Sequence, residues 1–216
     1  MSYDPHDEAW DEAYERLSEE LYPEHREQAI VEFTDERLRS YYLDHPEILA
    51  PAKESLKQAT SLLASGHFSA ALVFAATANE LFLKESLLRP IVFGLVHSPA
   101  IAQLVVESAM TQTGFSRYAK LLAGLYRMLT FNELATVTRP SSTLNLLKEA
   151  SNIQQTRNQI LHQGTPVSEM QAGEAVDVSK HVFKLILLPV LEELSLTVDD
   201  AGKLRDYGYD PARDSS

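Results

Sequence analysis

The chain has 216 residues, a length that favours one domain with a substantial core over two full domains. It contains no cysteine, which excludes disulfide frameworks, thiolate metal sites and cysteine nucleophiles. The N-terminus lacks a signal-peptide pattern, and no apolar run reaches the roughly 18 residues that a membrane span needs. We therefore expect a soluble, cytoplasmic protein.

The formal net charge of −12 is unevenly distributed. Residues 1–47 carry 15 acidic and 4 basic side chains, whereas residues 48–196 carry 11 acidic and 12 basic side chains. The central region is close to neutral, so the overall sign neither supports nor excludes a phosphate substrate. We interpret 1–47 as an acidic, helical N-terminal extension. Its charge forms either a solvated face or a surface that screens or mimics nucleic acid, or binds a basic partner.

Two helices are predicted in this extension. The first covers residues 7–21, where apolar side chains recur at spacings of four, three and four and form one amphipathic stripe: Trp10, Tyr14, Leu17 and Leu21. This pattern is typical of a short docking helix. Pro23 suits the first position of a second helix that runs to about Leu43.

The next two predicted helices differ in character. The first runs from about Glu47 to Ser65 and is amphipathic, and Gly66 ends it. The second runs from His67 to Arg89 and is apolar nearly all round, which is typical of a buried helix at the centre of a bundle. Pro90 is expected to stop this second helix.

The remaining chain is also predicted to be helical. Helices are expected from Pro99 to about Thr111, from Phe115 to about Phe131 and from Thr143 to about His162. A last helix should begin after a Ser168 cap and reach about Leu196, with a kink at Pro189. Strand signals are scarce. The predicted fold class is all-α, an antiparallel helical bundle with an added N-terminal helical segment, and residues 197–216 are expected to form a flexible C-terminal tail.

One polar helical stretch carries the residues with the most chemistry. Between Gln154 and Gly164 it contains Arg157, Asn158 and His162. Asn158 and His162 are i,i+4 neighbours, and the long arginine stem lets the guanidinium swing towards them. Arginine binds phosphate bidentately, and histidine titrates near neutral pH. The three side chains are therefore a candidate site for acid–base chemistry at an anion.

Spacing alone carries little weight. With 11 arginines and 7 histidines, an arginine followed by a histidine after four to six residues is expected about once by chance. Arg39 and His45 satisfy the same pattern. Moreover, cations in the last turn of a helix are favoured by the helix dipole without any functional role.

The helices that precede and follow the motif provide evidence that its spacing alone does not. The apolar helix runs from Phe68 to Lys84 and contains Asn79-Glu80-Leu81. It follows a helix that ends in Ala64-Ser65-Gly66. The motif Arg157-Asn158-x-x-x-His162-x-Gly164 comes later in the chain, before a final long helix. Together these features resemble the first helix pair and the Arg-x(4–6)-His signature of the HEPN superfamily. The resemblance covers roughly residues 48–196, with 91–140 as inserted helices. Since Arg39 and His45 precede that core, they are interpreted as a chance match.

The resemblance implies a helical bundle that forms a homodimer, often through the motif helices. Many members of the superfamily are metal-independent endoribonucleases of toxin–antitoxin or phage-defence systems. Carried over to this chain, Arg157 would bind the phosphate, His162 would act as acid and base, and Asn158 would orient them. No cofactor and no metal would be required, and the partners would be an RNA substrate and an antitoxin or another protein.

Two alternatives stay open. Glu80 matches an acidic position of the superfamily and could hold Arg157 or position His162, or it could simply pair with Lys84 at i,i+4. The superfamily also contains inactive members, and this chain lacks an obvious strip of interleaved basic and aromatic residues for RNA. The alternative function is therefore a non-catalytic adaptor or nucleotide-binding module that acts through protein–protein contacts.

Overall fold

The structure is a computed structural model that describes residues 32–96, 98–110, 115–140, 142–199 and 202–208. Within these residues the fold is helical apart from one small two-stranded sheet, which confirms the predicted all-α class. None of the described helices is both long and apolar enough to cross a membrane. The predicted helix over 7–21 and the first part of the helix from Pro23 lie outside the described residues.

The helices and strands follow the chain in a simple order. The α-helices are α1 (residues 32–44), α2 (Ala50–Ala64), α3 (Phe68–Leu83), α4 (Arg89–Leu95), α5 (Pro99–Met110), α6 (Phe115–Thr130), α7 (Leu146–Gln163), α8 (Glu169–Val182) and α9 (Leu188–Glu193). A short 3-10 turn, Leu134–Thr136, follows α6. Strands β1 (Leu196–Val198) and β2 (Leu204–Asp206) pair in antiparallel fashion, with Leu196 opposite Asp206.

Helix α3 lies at the centre of the bundle. It packs against α2, α7 and α8, and its buried positions alternate large side chains with alanines, among them Leu72, Ala75, Ala76, Ala78 and Phe82. Alanine lets neighbouring helix backbones approach closely, while the larger side chains fill the space between helices. The buried central helix predicted from the apolar run is present.

Pro90, which was expected to stop a helix, and Pro189, which was expected to kink one, both lie just after a π-helical turn. Pro90 does not stop the helix, because the chain continues through the π turn Lys84–Leu88 directly into α4. Pro189 has the same arrangement, with the π turn Phe183–Leu187 before α9. Each proline is the second residue of the following helix, where its missing N–H is tolerated. The helical segments therefore run on through both prolines.

The ends of α7 are fixed by capping residues. The Asn145 side chain accepts a hydrogen bond from the Lys148 backbone N–H at 2.8 Å, so α7 begins at Leu146, three residues after the predicted start. Gly164 ends the helix in the left-handed conformation at φ 63°, as its position predicts. These caps place Arg157, Asn158 and His162 in the last two turns of α7.

The C-terminal region differs from the flexible tail predicted over 197–216. Strands β1 and β2 form a hairpin in which Leu196 and Leu204 are buried. The Leu204 backbone N–H donates to the Pro46 carbonyl at 2.9 Å, and Arg39 of α1 forms an ion pair with Asp206. The hairpin is therefore part of the folded body, whereas residues 209–216 lie outside the described residues.

Candidate functional site at the end of helix α7

The three motif residues lie on two sides of α7. Leu146 and Ala150 are buried, and Arg157, seven residues after Ala150, continues their side of the helix within about 20°. Asn158 and His162 follow about 100° and 140° further round, and both are exposed. The site thus combines one half-buried cation with two solvent-facing polar side chains.

The guanidinium of Arg157 contains one donor without a partner in the described part of the chain. Its Nε atom is shielded from solvent and has no hydrogen-bond partner among the described residues. Buried donors of this kind normally have a partner, because leaving one unsatisfied costs free energy. The planar donor set of arginine matches the oxygens of a phosphate. Arg157 is therefore placed to gain from binding an anion.

The two arginine–histidine pairs differ in their contacts. Arg39 forms an ion pair with Asp206, and His45 Nδ1 donates to the Tyr41 carbonyl at 2.8 Å while its ring stacks on Tyr41. The side chains of Arg157 and His162 form no hydrogen bond or ion pair with any residue that the structure describes. Within the described part of the chain, the side chains of the pair near the N-terminus therefore have structural partners, and those of the pair in α7 do not.

Within the described residues, Glu80 pairs with a lysine and forms no hydrogen bond or ion pair with a motif residue. Its Oε1 accepts a hydrogen bond from Lys84 Nζ at 2.8 Å, and within the described chain it forms no ion pair with Arg157. The i,i+4 pair that the sequence offered as an alternative is thus present. Lys84 also lies over the ring of Tyr118, 5.2 Å from its centroid. Burial raises the pKa of Tyr118, and the Glu80 carboxylate raises it further.

A small cavity of about 10 Å³ lies between α3, α6 and the motif helix α7. It is lined by Ala76, Asn79, Glu80, Lys84, Tyr118, Ala150 and Gln154. Asn79 is 3% exposed, and neither its Oδ1 nor its Nδ2 has a hydrogen-bond partner in the described part of the chain. The cavity is about large enough for one water molecule. Gln154 lies one turn before Arg157, so this polar cavity adjoins the site.

Sequence reasoning selected Glu80 and missed Asn79. The signal was present, because Asn79 follows Leu72 and Ala76 at spacings of seven and three, which places it on their side of the helix. That side is buried in the structure. A carboxylate in an apolar helix is a stronger sequence signal than a neutral amide, but it is the amide of Asn79 that is buried in the interior.

A second, larger cleft lies on another side of α7. It measures about 490 Å³, and α7, α8 and the loop before α7 border it. At its edge Arg139 pairs with Glu149 at 3.0 Å and with Asp177 at 2.8 Å. Burial lowers the pKa of Arg139, but the hydrogen bonds to the two carboxylates outweigh this effect and raise it. Thr156, in the cleft wall, is about 160° round α7 from Asn158, so cleft and motif are separate.

No group of three or more His, Cys, Asp or Glu side chains arranged to hold a metal ion occurs among the described residues. No protein-family model, curated protein or solved structure matches the chain. The case for the site therefore consists of its geometry and of the sequence motif.

Proposed function

We propose that this protein is a metal-independent endoribonuclease of a toxin–antitoxin or phage-defence type, acting in the cytoplasm. The observation that carries the proposal is the contrast between the two arginine–histidine pairs. The side chains of Arg39 and His45 have protein partners, whereas those of Arg157 and His162 have none among the described residues and lie within the last two turns of a capped helix. Polar groups left without partners are a common property of functional sites.

The proposed reaction needs only these side chains and the RNA itself. Neutral His162 removes the proton from a ribose 2′-OH, whose oxygen attacks the adjacent phosphorus. Arg157 stabilises the additional negative charge on the phosphoryl oxygens, and Asn158 orients Arg157 and His162. The bond from phosphorus to the 5′ oxygen breaks, and protonated His162 returns the proton to that oxygen. The products are a 2′,3′-cyclic phosphate and a 5′-hydroxyl end.

Exposed apolar side chains in the last turn of α7 and the first turn of α8 support the proposed homodimer. Leu161 precedes His162 on α7 and is 54% exposed, and Met170 in the first turn of α8 is 72% exposed. Exposed apolar side chains next to a polar site favour burial against a protein surface. We propose that the motif helices of two copies meet here, and that an antitoxin or another protein partner competes for the same surface.

The decisive experiment incubates the purified full-length protein with tRNA and with total RNA in EDTA. Cleavage is expected in the wild type, with 2′,3′-cyclic phosphate ends identified by mass spectrometry. His162→Ala and Arg157→Ala should each lower the cleavage rate by about 100-fold or more, the usual loss when a general base or a charge-stabilising donor is removed. In a bacterial host, growth arrest on overexpression should be relieved by His162→Ala.

Three control variants separate chemistry from folding. His45→Ala and Arg39→Ala remove the pair with the same spacing, and Gln159→Ala changes an exposed position on the motif helix itself. All three should retain cleavage. Circular dichroism would verify that each variant is folded. If wild-type cleavage persists at the same rate in both His162→Ala and Arg157→Ala, a contaminating nuclease is responsible and the proposal fails.

The cleft of about 490 Å³ favours the second candidate, a nucleotide-binding module without catalysis. Its volume lies in the range of small-molecule sites, and hydroxyl and amide groups of Ser142, Asn152, Thr156 and Gln171 line it. A nucleotide that raises the melting temperature of the wild type, but not that of a cleft-filling Thr156→Trp variant, would support this function. Absence of RNA cleavage in the same preparation would then decide between the two candidates.

A further inference from the structure

The cleft bordered by α7, α8 and the loop before α7 has an apolar part and a polar part. Leu72, Ile153 and Ala175 belong to one hydrophobic cluster, and all three line the cleft. Hydroxyl, amide and carboxylate groups line the remainder, among them those of Asn152 and Thr156. The volume of about 490 Å³ is in the range of small-molecule sites. A ligand that fits this cleft therefore combines an apolar body with a polar group.

Carboxylates outnumber cations around the cleft. Arg139 is the one cation among the described lining residues, and its guanidinium donates to Glu149 at 3.0 Å and to Asp177 at 2.8 Å. These two carboxylates more than balance its charge. Glu174, which is exposed, adds a third carboxylate to the cleft. One positive and three negative groups give a formal net charge of −2.

The other cations of the two helices do not change this balance. Lys148 and Arg157 each lie about 90° round α7 from the middle of the lining positions on that helix. Lys180 lies about 160° round α8 from Val178, which lines the cleft. All three cations are therefore placed on other sides of their helices, and the cleft keeps its negative charge.

Two of the polar side chains offer hydrogen-bond acceptors to a ligand. Thr156 Oγ1 donates its own proton to the Asn152 backbone carbonyl at 3.1 Å, so its lone pairs remain for a donor. The Glu174 side chain forms no hydrogen bond or ion pair with another residue that the structure describes, and an ionised carboxylate can only accept. An ammonium group matches these acceptors, because it carries three donors and a positive charge.

We propose that the cleft binds an aliphatic amine of the polyamine class, with a primary ammonium group at Glu174 and the alkyl chain against Leu72 and Ile153. The chain gains from apolar burial, and the ammonium gains from the surrounding carboxylates. A nucleotide is the alternative occupant, but its phosphates would face the same carboxylates. The cleft is separate from the motif in α7, so this binding does not rest on the proposed ribonuclease activity.

Isothermal titration calorimetry of the full-length protein with spermidine tests the proposal. Saturable binding at one site per chain is expected, and diaminooctane, a diamine of similar length, should bind as well. Octanediol and suberate have an eight-carbon chain without ammonium groups, and each should bind about tenfold more weakly or worse. Higher ionic strength should lower the spermidine affinity, because the attraction is electrostatic.

The acidic extension also attracts cations, so variants of the cleft carry the decisive comparison. Glu174→Gln removes a carboxylate while keeping the size of the side chain, and it should weaken spermidine binding about fivefold. Thr156→Trp fills the cleft and should abolish saturable binding. The matched control is Glu169→Gln, an exposed carboxylate on the same helix outside the lining, which should bind like the wild type.

Circular dichroism would verify that each variant is folded, and His162→Ala should bind spermidine like the wild type. The proposal is overturned if the wild type shows no saturable binding, or if folded Thr156→Trp retains wild-type affinity. It is also overturned if Glu174→Gln weakens binding no more than Glu169→Gln does. Tighter binding of suberate or ATP than of spermidine would overturn it as well, because the cleft would then select anions.

Discussion

At the scale of single residues, Asn79 is an unusual position in the described core. Its amide is almost fully buried at the centre of an apolar helix, and it has no hydrogen-bond partner among the described residues. A buried polar group without a partner costs about 1–3 kcal/mol. Asn79 lines the cavity that adjoins the motif helix, so this unfavourable free energy arises next to the candidate site. Such a position suggests that stability is traded for a property of the site.

Asn79→Leu tests that cost. Leucine has the same branching at its γ-carbon and no polar atoms, so the free energy of unfolding should rise by about 1–2 kcal/mol. Urea unfolding at constant m-value is the measurement. The control is Asn152→Leu at an exposed position of α7, which should change stability by less than about 0.5 kcal/mol. A destabilised Asn79→Leu protein would mean that the amide is satisfied, for example by a bound water.

The residue scale also shows what a motif can and cannot predict. The sequence placed Arg157, Asn158 and His162 on one helix end, and α7 contains them there. Spacing alone could not distinguish the pair Arg157 and His162 from the pair Arg39 and His45. The partner of Arg39 is Asp206, 167 positions away along the chain, and a contact of that kind arises only from the tertiary fold.

At the scale of elements, α1 and α4 pack unusually closely. A β-carbon on Gly94 would lie 2.9 Å from Leu38 Cβ and 3.2 Å from Leu38 Cα. Arg37 strengthens the contact, because its guanidinium donates to the carbonyls of Gly94 and Val96, each at 3.2 Å, near the end of α4. The glycine therefore lets a helix terminus and its capping arginine come together.

Gly94→Ala and Gly173→Ala form a matched pair at helical positions. At Gly94 the new methyl group would overlap atoms anchored to the α1 backbone, so the free energy of unfolding should fall by about 1–3 kcal/mol despite the better helix propensity of alanine. Gly173 in α8 has open space around it, and alanine there should raise stability by about 0.5–1 kcal/mol. Thermal unfolding followed by circular dichroism would show melting temperatures moving in opposite directions. Equal shifts would contradict the close packing.

Helix ends were predictable where a local signal exists. Ser168 and Gln171 form the capping box that their spacing suggests, and Gly164 adopts the left-handed conformation that ends α7. The π turns before Pro90 and Pro189 were not predictable. A π turn changes the hydrogen-bond register of the backbone without a composition of its own, and proline taken alone indicates a helix end.

At the scale of the whole molecule, the last described segment of the chain contacts the first one. The hairpin of β1 and β2 contacts α1 through Arg39 and Asp206, and it contacts the turn before α2 through the Leu204 backbone. Sequence analysis assigned this region to a flexible tail because three-residue strands are too short to show alternation and no Asn-Gly or Asp-Gly turn joins them. The turn instead uses Gly202 at φ 84°. The hairpin is thus stabilised by burial of its side chains against the rest of the fold.

Leu204→Ala measures how much the hairpin contributes. Leu204 is 1% exposed and belongs to the main hydrophobic cluster, so its truncation should lower the free energy of unfolding by about 2–4 kcal/mol, the usual cost of a buried leucine. Tyr207→Ala, at a side chain that is 76% exposed in the same hairpin, should cost less than about 0.5 kcal/mol. Urea unfolding separates the two variants. A flexible tail would give two equally small effects, because a residue that is solvated before and after unfolding loses nothing on truncation. A large effect at Leu204 alone means that the hairpin unfolds together with the bundle, since the cost then appears in one cooperative transition.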